Sequence, residues 1–296
     1  MVRKTGKVFF AAVFGVTLFI ATIFTGEARA NGPTKYPIVL VHGLSGWSNV
    51  AGIEYFWGIK EYLNSLGYQV YEPQLDAFNT IQVLGTELAN QINQILAATG
   101  AQKVNIIAHS MGGLDARYAI TKLGMGNKVA TLTMIGTPNQ GSSVADVALG
   151  LIPGSMQDVL NGFLWFAGCS IDQQNYTTCT QNAIAAISNL TTTYVRNVFN
   201  PATPNNPAVK YFSYAGETNP WQVNPLLSLS YWILLFNEGS NDGLVSVNSA
   251  KWGTYEGLVY TDHFGEIGQL FGAPAEGFNQ YSFYGSVAQH LKNMGY

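Results

Sequence analysis

The residues best suited to chemistry lie in Val104-Asn-Ile-Ile-Ala-His109-Ser110-Met111-Gly112-Gly113. An apolar run of strand length leads into Ser110, a helical pattern follows it, and the small residues Ala108 and Gly112 stand two places to either side. That spacing suits a serine held in a sharp strand-to-helix turn, where bulky neighbours would clash and the hydroxyl projects clear of the sheet. Ser110 is therefore the nucleophile candidate, with an ordinary helix-capping serine as the alternative. A helix that starts there aims its N-terminus at the place where an oxyanion would form. The second amide of such a hole comes from Val39-Leu-Val-His42-Gly43-Leu44. The backbone N–H groups of Leu44 and Met111 are thus expected to converge on one substrate oxygen.

A serine nucleophile needs a base, and the chain has four histidines, His42, His109, His263 and His290. His42 precedes the serine and reads as a structural residue of its loop. His109 adjoins Ser110 and should point away from its hydroxyl, and His290 lies on a helical pattern near the C-terminus. His263, in the loop Tyr260-Thr-Asp-His-Phe-Gly265, is the expected general base. The orienting acid should fall between serine and histidine in the chain order of an α/β-hydrolase. Asp242, in Glu238-Gly-Ser-Asn-Asp-Gly-Leu-Val245 ahead of an expected apolar strand, is the best placed, and Asp262 is the fallback.

Elements that could position these residues follow from hydrophobic patterning. Apolar runs at 38–41, 69–71, 104–108, 131–135 and 209–214 have strand length without alternation, as expected of parallel strands covered on both faces. Helical periodicity fills 56–66, 84–96 and 111–123, with Gly67, Gly100 and Gly124 as C-terminal caps. Alternating strands and helices predict an α/β domain with a mostly parallel central sheet, helices on both faces, and a site in the loops along one sheet edge. From about 142 to 207 the alternation stops, and a mostly helical insertion over that edge is expected.

With charged residues at 10% and hydrophobic residues at 47%, the chain is too apolar for disorder. Its net charge of −3, with no basic cluster beyond the N-terminus, excludes nucleic acid as a partner. Residues 1–30 carry Arg3, Lys4 and Lys7, then an uncharged run from Val8 to Phe24, and end in Ala28-Arg-Ala30. This is the pattern of a cleaved secretory signal peptide, with a retained membrane anchor as the alternative, so residues 31–296 form the mature domain. Cleavage removes four of 14 basic and one of 17 acidic residues and takes the net charge to −6. Export makes Cys169 and Cys179 a disulfide pair in expectation, against two buried thiols.

The motifs resemble those of the bacterial true lipases of the Pseudomonas and Burkholderia type, which are secreted α/β-hydrolases acting on triacylglycerols. The resemblance is carried by Tyr36-Pro-Ile-Val-Leu-Val-His-Gly43, Val104–Gly113, Ile135-Gly-Thr-Pro-Asn-Gln-Gly-Ser142, Asn241-Asp-Gly-Leu-Val245, and Asp262-His263 with Gln269-Leu-Phe-Gly272. It implies Ser110, Asp242 and His263 as the triad and Leu44 and Met111 as oxyanion donors. Ala108 makes the elbow similar to that of small Bacillus-type lipases. The resemblance also implies a structural calcium held by two aspartates and, as in some relatives, a secretion chaperone. The matching calcium positions here are Asn224 and Gly265, neither a carboxylate, so no metal or other cofactor is expected. The chain pattern sets no oligomeric state.

Within the insertion, Met156, Val159, Leu160 and Phe163 recur at helical spacing as one apolar face, the pattern of a lid that opens on an oil surface, with an ordinary core-facing helix as the alternative. A second apolar stretch, Pro225–Phe236, is expected to line an acyl groove or the rim facing lipid, or else to be a buried strand. The sequence thus points to a secreted triacylglycerol lipase acting on lipid esters at an oil-water interface. The rivals are a carboxylesterase or phospholipase without interfacial activation, and a non-catalytic binding protein on the same fold.

Overall fold

Four-residue to seven-residue runs of aliphatic side chains form the centre of the molecule, because such segments bury both faces only when helices cover them from either side. A computed structural model of the chain describes residues 33–44, 46, 49–50, 53–166, 176–269 and 277–296. The expected signal peptide and the Cys169 end of the expected disulfide lie outside these residues. No helix among the described residues is long and apolar enough to cross a membrane.

Six strands make one parallel sheet: β1 (Ile38–Val41), β4 (Val70–Tyr71), β5 (Val104–His109), β6 (Val129–Ile135), β7 (Lys210–Gly216) and β8 (Thr254–Val259), in the order β4-β1-β5-β6-β7-β8. Two short strands, β2 (Asn49–Val50) and β3 (Ile53–Glu54), pair antiparallel between β1 and α1 (Ile59–Ser65). The helices α2 (Ile81–Thr99) and α3 (Gly112–Lys122) cover one sheet face through Leu84, Leu88, Ile92, Leu114 and Ile120. On the other face α1 and the C-terminal helix Gln280–Asn293 bury Ile59, Leu63, Tyr284, Val287 and Leu291. The expected caps Gly67, Gly100 and Gly124 all have positive φ, the backbone state that ends a helix and favours glycine.

Strand order reverses direction between β1 and β5, since β4 lies beyond one and β6 beyond the other. In parallel sheets ligands enter at such a switch point, at the carboxyl ends of the strands. The two loops that leave there carry Gly43–Leu44 and Ser110.

Between β6 and β7 the chain is helical: α4 (Ser143–Ala148), α5 (Met156–Phe166) and α6 (Tyr176–Ser188), followed by shorter turns. Two expectations are corrected. No strand directly follows Asp242; Asn241 and Ser246 make an isolated bridge and Val247–Ala250 is a short helix, because the Asp242 side chain ties up the backbone N–H groups of Leu244 and Val245. The strand of that region is β8, at the sheet edge and too exposed to read as an apolar run. The stretch from Pro225 is not a strand but a short turn and a helix, Ser228–Asn237, which buries Tyr231 and Leu234 and exposes Leu229, Trp232 and Phe236.

Candidate active site

Ser110 is the one non-glycine residue with positive φ among the described residues, at 55°. A left-handed serine between a strand and a helix costs of the order of 1 kcal/mol or more and persists where its surroundings enforce it. Here two neighbours do. A Cβ on Gly112 would overlap the carbonyl oxygen of His42, and a Cβ on Gly43 would lie 2.5 Å from the Ser110 Cβ, so the first loop packs directly against the elbow. The Ser110 N–H is held by the Ile135 carbonyl at 2.9 Å. The backbone N–H groups of Leu44 and Met111 find no acceptor among the described residues, the state required of oxyanion donors.

His263 is buried, and its Nδ1 meets Asp242 Oδ2 at 2.8 Å. The other Asp242 oxygen accepts the N–H groups of Leu244 and Val245 at 2.8 and 2.7 Å, and the His263 N–H donates to the Asp242 carbonyl at 2.9 Å. The acid is thus clamped by its own turn, and the ring by the acid. Oriented this way, His263 Nδ1 carries a proton and Nε2 is left as a base. The His263 ring lies 4.4 Å, centroid to centroid, from that of His109, the residue next to the nucleophile. No hydrogen bond joins Ser110 Oγ to His263 among the described residues; such bonds commonly tighten only when substrate arrives.

The fallback acid has other work. Asp262 accepts the Asn224 N–H at 2.7 Å and the Gly265 N–H at 2.8 Å, so both its oxygens are taken and it does not orient the base. Those two partners occupy the positions that the resemblance assigned to calcium. Asn224 uses its Oδ1 on the Leu226 N–H at 3.0 Å, and a side chain at Gly265 would overlap the Thr261 hydroxyl. With no free carboxylate, the residues do not fit a calcium ion, and a carboxylate-to-amide tie joins the two loops in its place. A chelator is expected to leave Tm and activity unchanged, whereas Asp262→Ala orphans two N–H groups and lowers Tm. A fall in Tm on chelation, read by differential scanning calorimetry, would contradict this.

The remaining histidines are structural. His42 Nε2 accepts the Leu75 N–H at 3.2 Å, which puts the ring proton on Nδ1, facing the Gly43 carbonyl at 3.0 Å. Burial lowers its pKa and keeps it neutral. His290, on the C-terminal helix, packs edge-on to Phe212. His109 is fully buried, with Nδ1 2.7 Å from the Tyr55 hydroxyl and Nε2 2.8 Å from Glu266 Oε2. Burial first, then the neighbouring His263, holds its pKa well below the ordinary histidine value. Tyr55 and Glu266 have no signal in the sequence: neither sits in a motif, and their contacts with His109 span 54 and 157 residues. Donor atoms of His109, His263 and Glu266 fall within 4.8 Å of one another, but Tyr55, Asp242 and the His109–Glu266 bond itself already engage them.

Of the expected lid face, Val159 is buried and Leu160, like Leu44 of the oxyanion loop, packs against Phe78 and Ala183; Met156 is exposed. The Phe163 side chain lies outside the described part of α5.

Comparison with known proteins agrees with this fold. A family model for the alpha/beta hydrolase fold matches residues 36–234. A triacylglycerol lipase of Vibrio cholerae is 34% identical over 88% of this chain and 90% of its own length. One of Pseudomonas fragi is 31% identical over 88% of this chain and 98% of its own. Among solved structures, the mature lipase of Bacillus licheniformis aligns over 88% of this chain and 93% of its own, at 25% identity and a TM-score of 0.64.

Proposed function

The chain belongs to the α/β-hydrolase family, and from that premise we propose that it is a secreted serine ester hydrolase, a triacylglycerol lipase working at an oil-water interface. The observation that carries this reading is the Asp242–His263 pair at 2.8 Å beside a serine at φ 55°. Relatives bearing the lipase name over most of their length support the substrate class.

In the proposed reaction His263 Nε2 takes the proton from Ser110 as Oγ attacks the ester carbonyl. The amides of Leu44 and Met111 receive the oxyanion, and Asp242 stabilises the imidazolium. Collapse expels the glyceride alcohol, which takes the proton from His263. Water, deprotonated by the same nitrogen, then attacks the acyl-enzyme, releases the fatty acid and restores Ser110.

Lipase rather than simple esterase is favoured by the surroundings. Ser110 keeps 9% of its surface in solvent, and Leu160 of α5 shares an apolar cluster with Leu44 of the oxyanion loop, an arrangement in which α5 would move aside to admit a long acyl chain. Trp221 and Phe236, 93% and 82% exposed, stand with Leu226, Leu229 and Trp232 on the segment joined to the base loop through Asn224–Asp262, an apolar rim suited to lipid. Rates on a triglyceride are expected to rise about tenfold or more as it passes from dissolved monomer to emulsion. A smooth saturation curve through that point would favour the carboxylesterase reading.

A further inference from the structure

Beneath the nucleophile and base a line of buried polar groups connects two loops that the reaction uses separately. The Gly43 N–H donates to the Tyr55 hydroxyl oxygen. Tyr55 Oη stands 2.7 Å from His109 Nδ1, and His109 Nε2 stands 2.8 Å from Glu266 Oε2. One arrangement of protons satisfies all three contacts: the Tyr55 hydroxyl donates to Nδ1, and the ring proton on Nε2 goes to Glu266. Gly43 immediately precedes the oxyanion residue Leu44, and Glu266 lies one helical turn after the base His263, whose Nδ1 is 3.7 Å from the same carboxylate oxygen.

Both ends are wedged. At Gly136 and Gly216, where β6 and β7 end, any Cβ would overlap the Glu266 carboxyl oxygens, so the strand ends close directly on that group. The backbone around Tyr55 is bound to the same loop, with Gln269 Nε2 donating to the Tyr55 carbonyl at 3.1 Å and the Trp57 N–H to the Ile267 carbonyl at 3.1 Å. Glu266 Oε1 is buried with no hydrogen-bond partner among the described residues, an expense that a purely apolar core would avoid.

We propose that Tyr55, His109 and Glu266 form a strut that fixes the distance between the oxyanion loop and the base loop, making Tyr55 and Glu266 positioning residues for the transition state. None of the three touches substrate. Burial, followed by the charges of Asp242 and Asp262, pushes the Glu266 carboxyl far above its ordinary range, so it serves as a neutral hydrogen-bonding group and not as a second counter-ion. The proposal rests on the ester-hydrolase reading for its kinetic consequence, but its structural consequence is read independently.

The test uses Tyr55→Phe, Glu266→Ala and Glu266→Gln in the mature protein, with rates normalised by titrating active sites with an organophosphonate. Tyr55→Phe is expected to lower kcat by about tenfold to a hundredfold with KM within about twofold, since misplacing the reacting groups by a fraction of an ångström acts on the transition state. Glu266→Ala should do the same, and Glu266→Gln, which keeps an acceptor oxygen for His109, should recover kcat to within about threefold of wild type. Hydrogen exchange at the Gly43 amide should quicken in Tyr55→Phe by about tenfold or more, whatever the reaction catalysed. If Glu266→Ala does not fold, Tyr55→Phe, which keeps the ring, still decides. The strut is overturned if Tyr55→Phe retains kcat within twofold, if its loss lies in KM alone, if Glu266→Gln is as impaired as Glu266→Ala, or if Gly43 exchange is unchanged. An inactive wild type, or a Ser110→Ala variant as active as wild type, refutes the ester-hydrolase reading instead and leaves Gly43 exchange to judge the strut.

Discussion

Ser110→Ala is expected to lower kcat for any carboxylic ester by about four to six orders of magnitude, leaving Tm within a few degrees of wild type. The size of the loss follows from the route. Without Oγ no acyl-enzyme forms, and what survives is water attacking an ester held against the Leu44 and Met111 amides. The stability forecast comes from the elbow: alanine at φ 55° carries the same left-handed strain as serine, and no hydrogen bond of the Ser110 side chain is lost among the described residues. Burst kinetics on a p-nitrophenyl ester, with circular dichroism to verify folding, would measure both. Activity within tenfold of wild type would remove Ser110 from the reaction and favour the non-catalytic reading of the fold or another nucleophile.

Asp242→Asn is the second large effect, a fall in kcat of about two to four orders of magnitude. Its amide oxygen can still accept the Leu244 and Val245 N–H groups that now hold Oδ1, so the turn survives. The amide NH2 then faces His263 Nδ1 as a donor. Two donors cannot share the contact, so the ring proton moves to Nε2, the atom that must receive the proton of Ser110. The variant should therefore fold normally, bind ester with nearly unchanged KM, and regain part of its rate at high pH, where the serine ionises more readily. Asp262→Asn separates the two aspartates. Its carboxylate meets backbone amides and not the ring, so its loss falls mainly on stability. Equal kinetic losses in the two variants would mean that the acid has been misassigned.

The nucleophile was legible because a strand-to-helix elbow is a local object. Strand, serine and helix start follow one another within a few residues and leave a pattern in the chain, although the small residue at Gly112 is also demanded by the His42 carbonyl oxygen of the neighbouring loop. The same holds for the glycine caps, whose φ is imposed by the helix end beside each, and the parallel strands showed as unbroken apolar runs although the helices that cover them lie far along the chain. The amphipathic spacing of Val159 and Leu160 likewise predicted an inward face, though not that it would rest beside Leu44.

Chain order left Asp242 and Asp262 both eligible, and the strand expected after Asp242, which ranked it first, is absent, so their roles could not be separated from two aspartates in glycine-containing loops. Folding separated them by pointing one carboxylate at an imidazole and surrounding the other with amides. β8 went unread because an edge strand with one exposed face need not be apolar, and Ser228–Asn237 because a helix with aromatic side chains on both its buried and its exposed sides shows little periodicity. Tyr55 and Glu266 left no trace at all. A hydrogen bond between residues far apart in the chain constrains only their final positions, and nothing nearby in the chain has to change to accommodate it. Local sterics wrote the elbow, the caps and the strand rhythm into the order of residues; which carboxylate meets which ring was settled by packing.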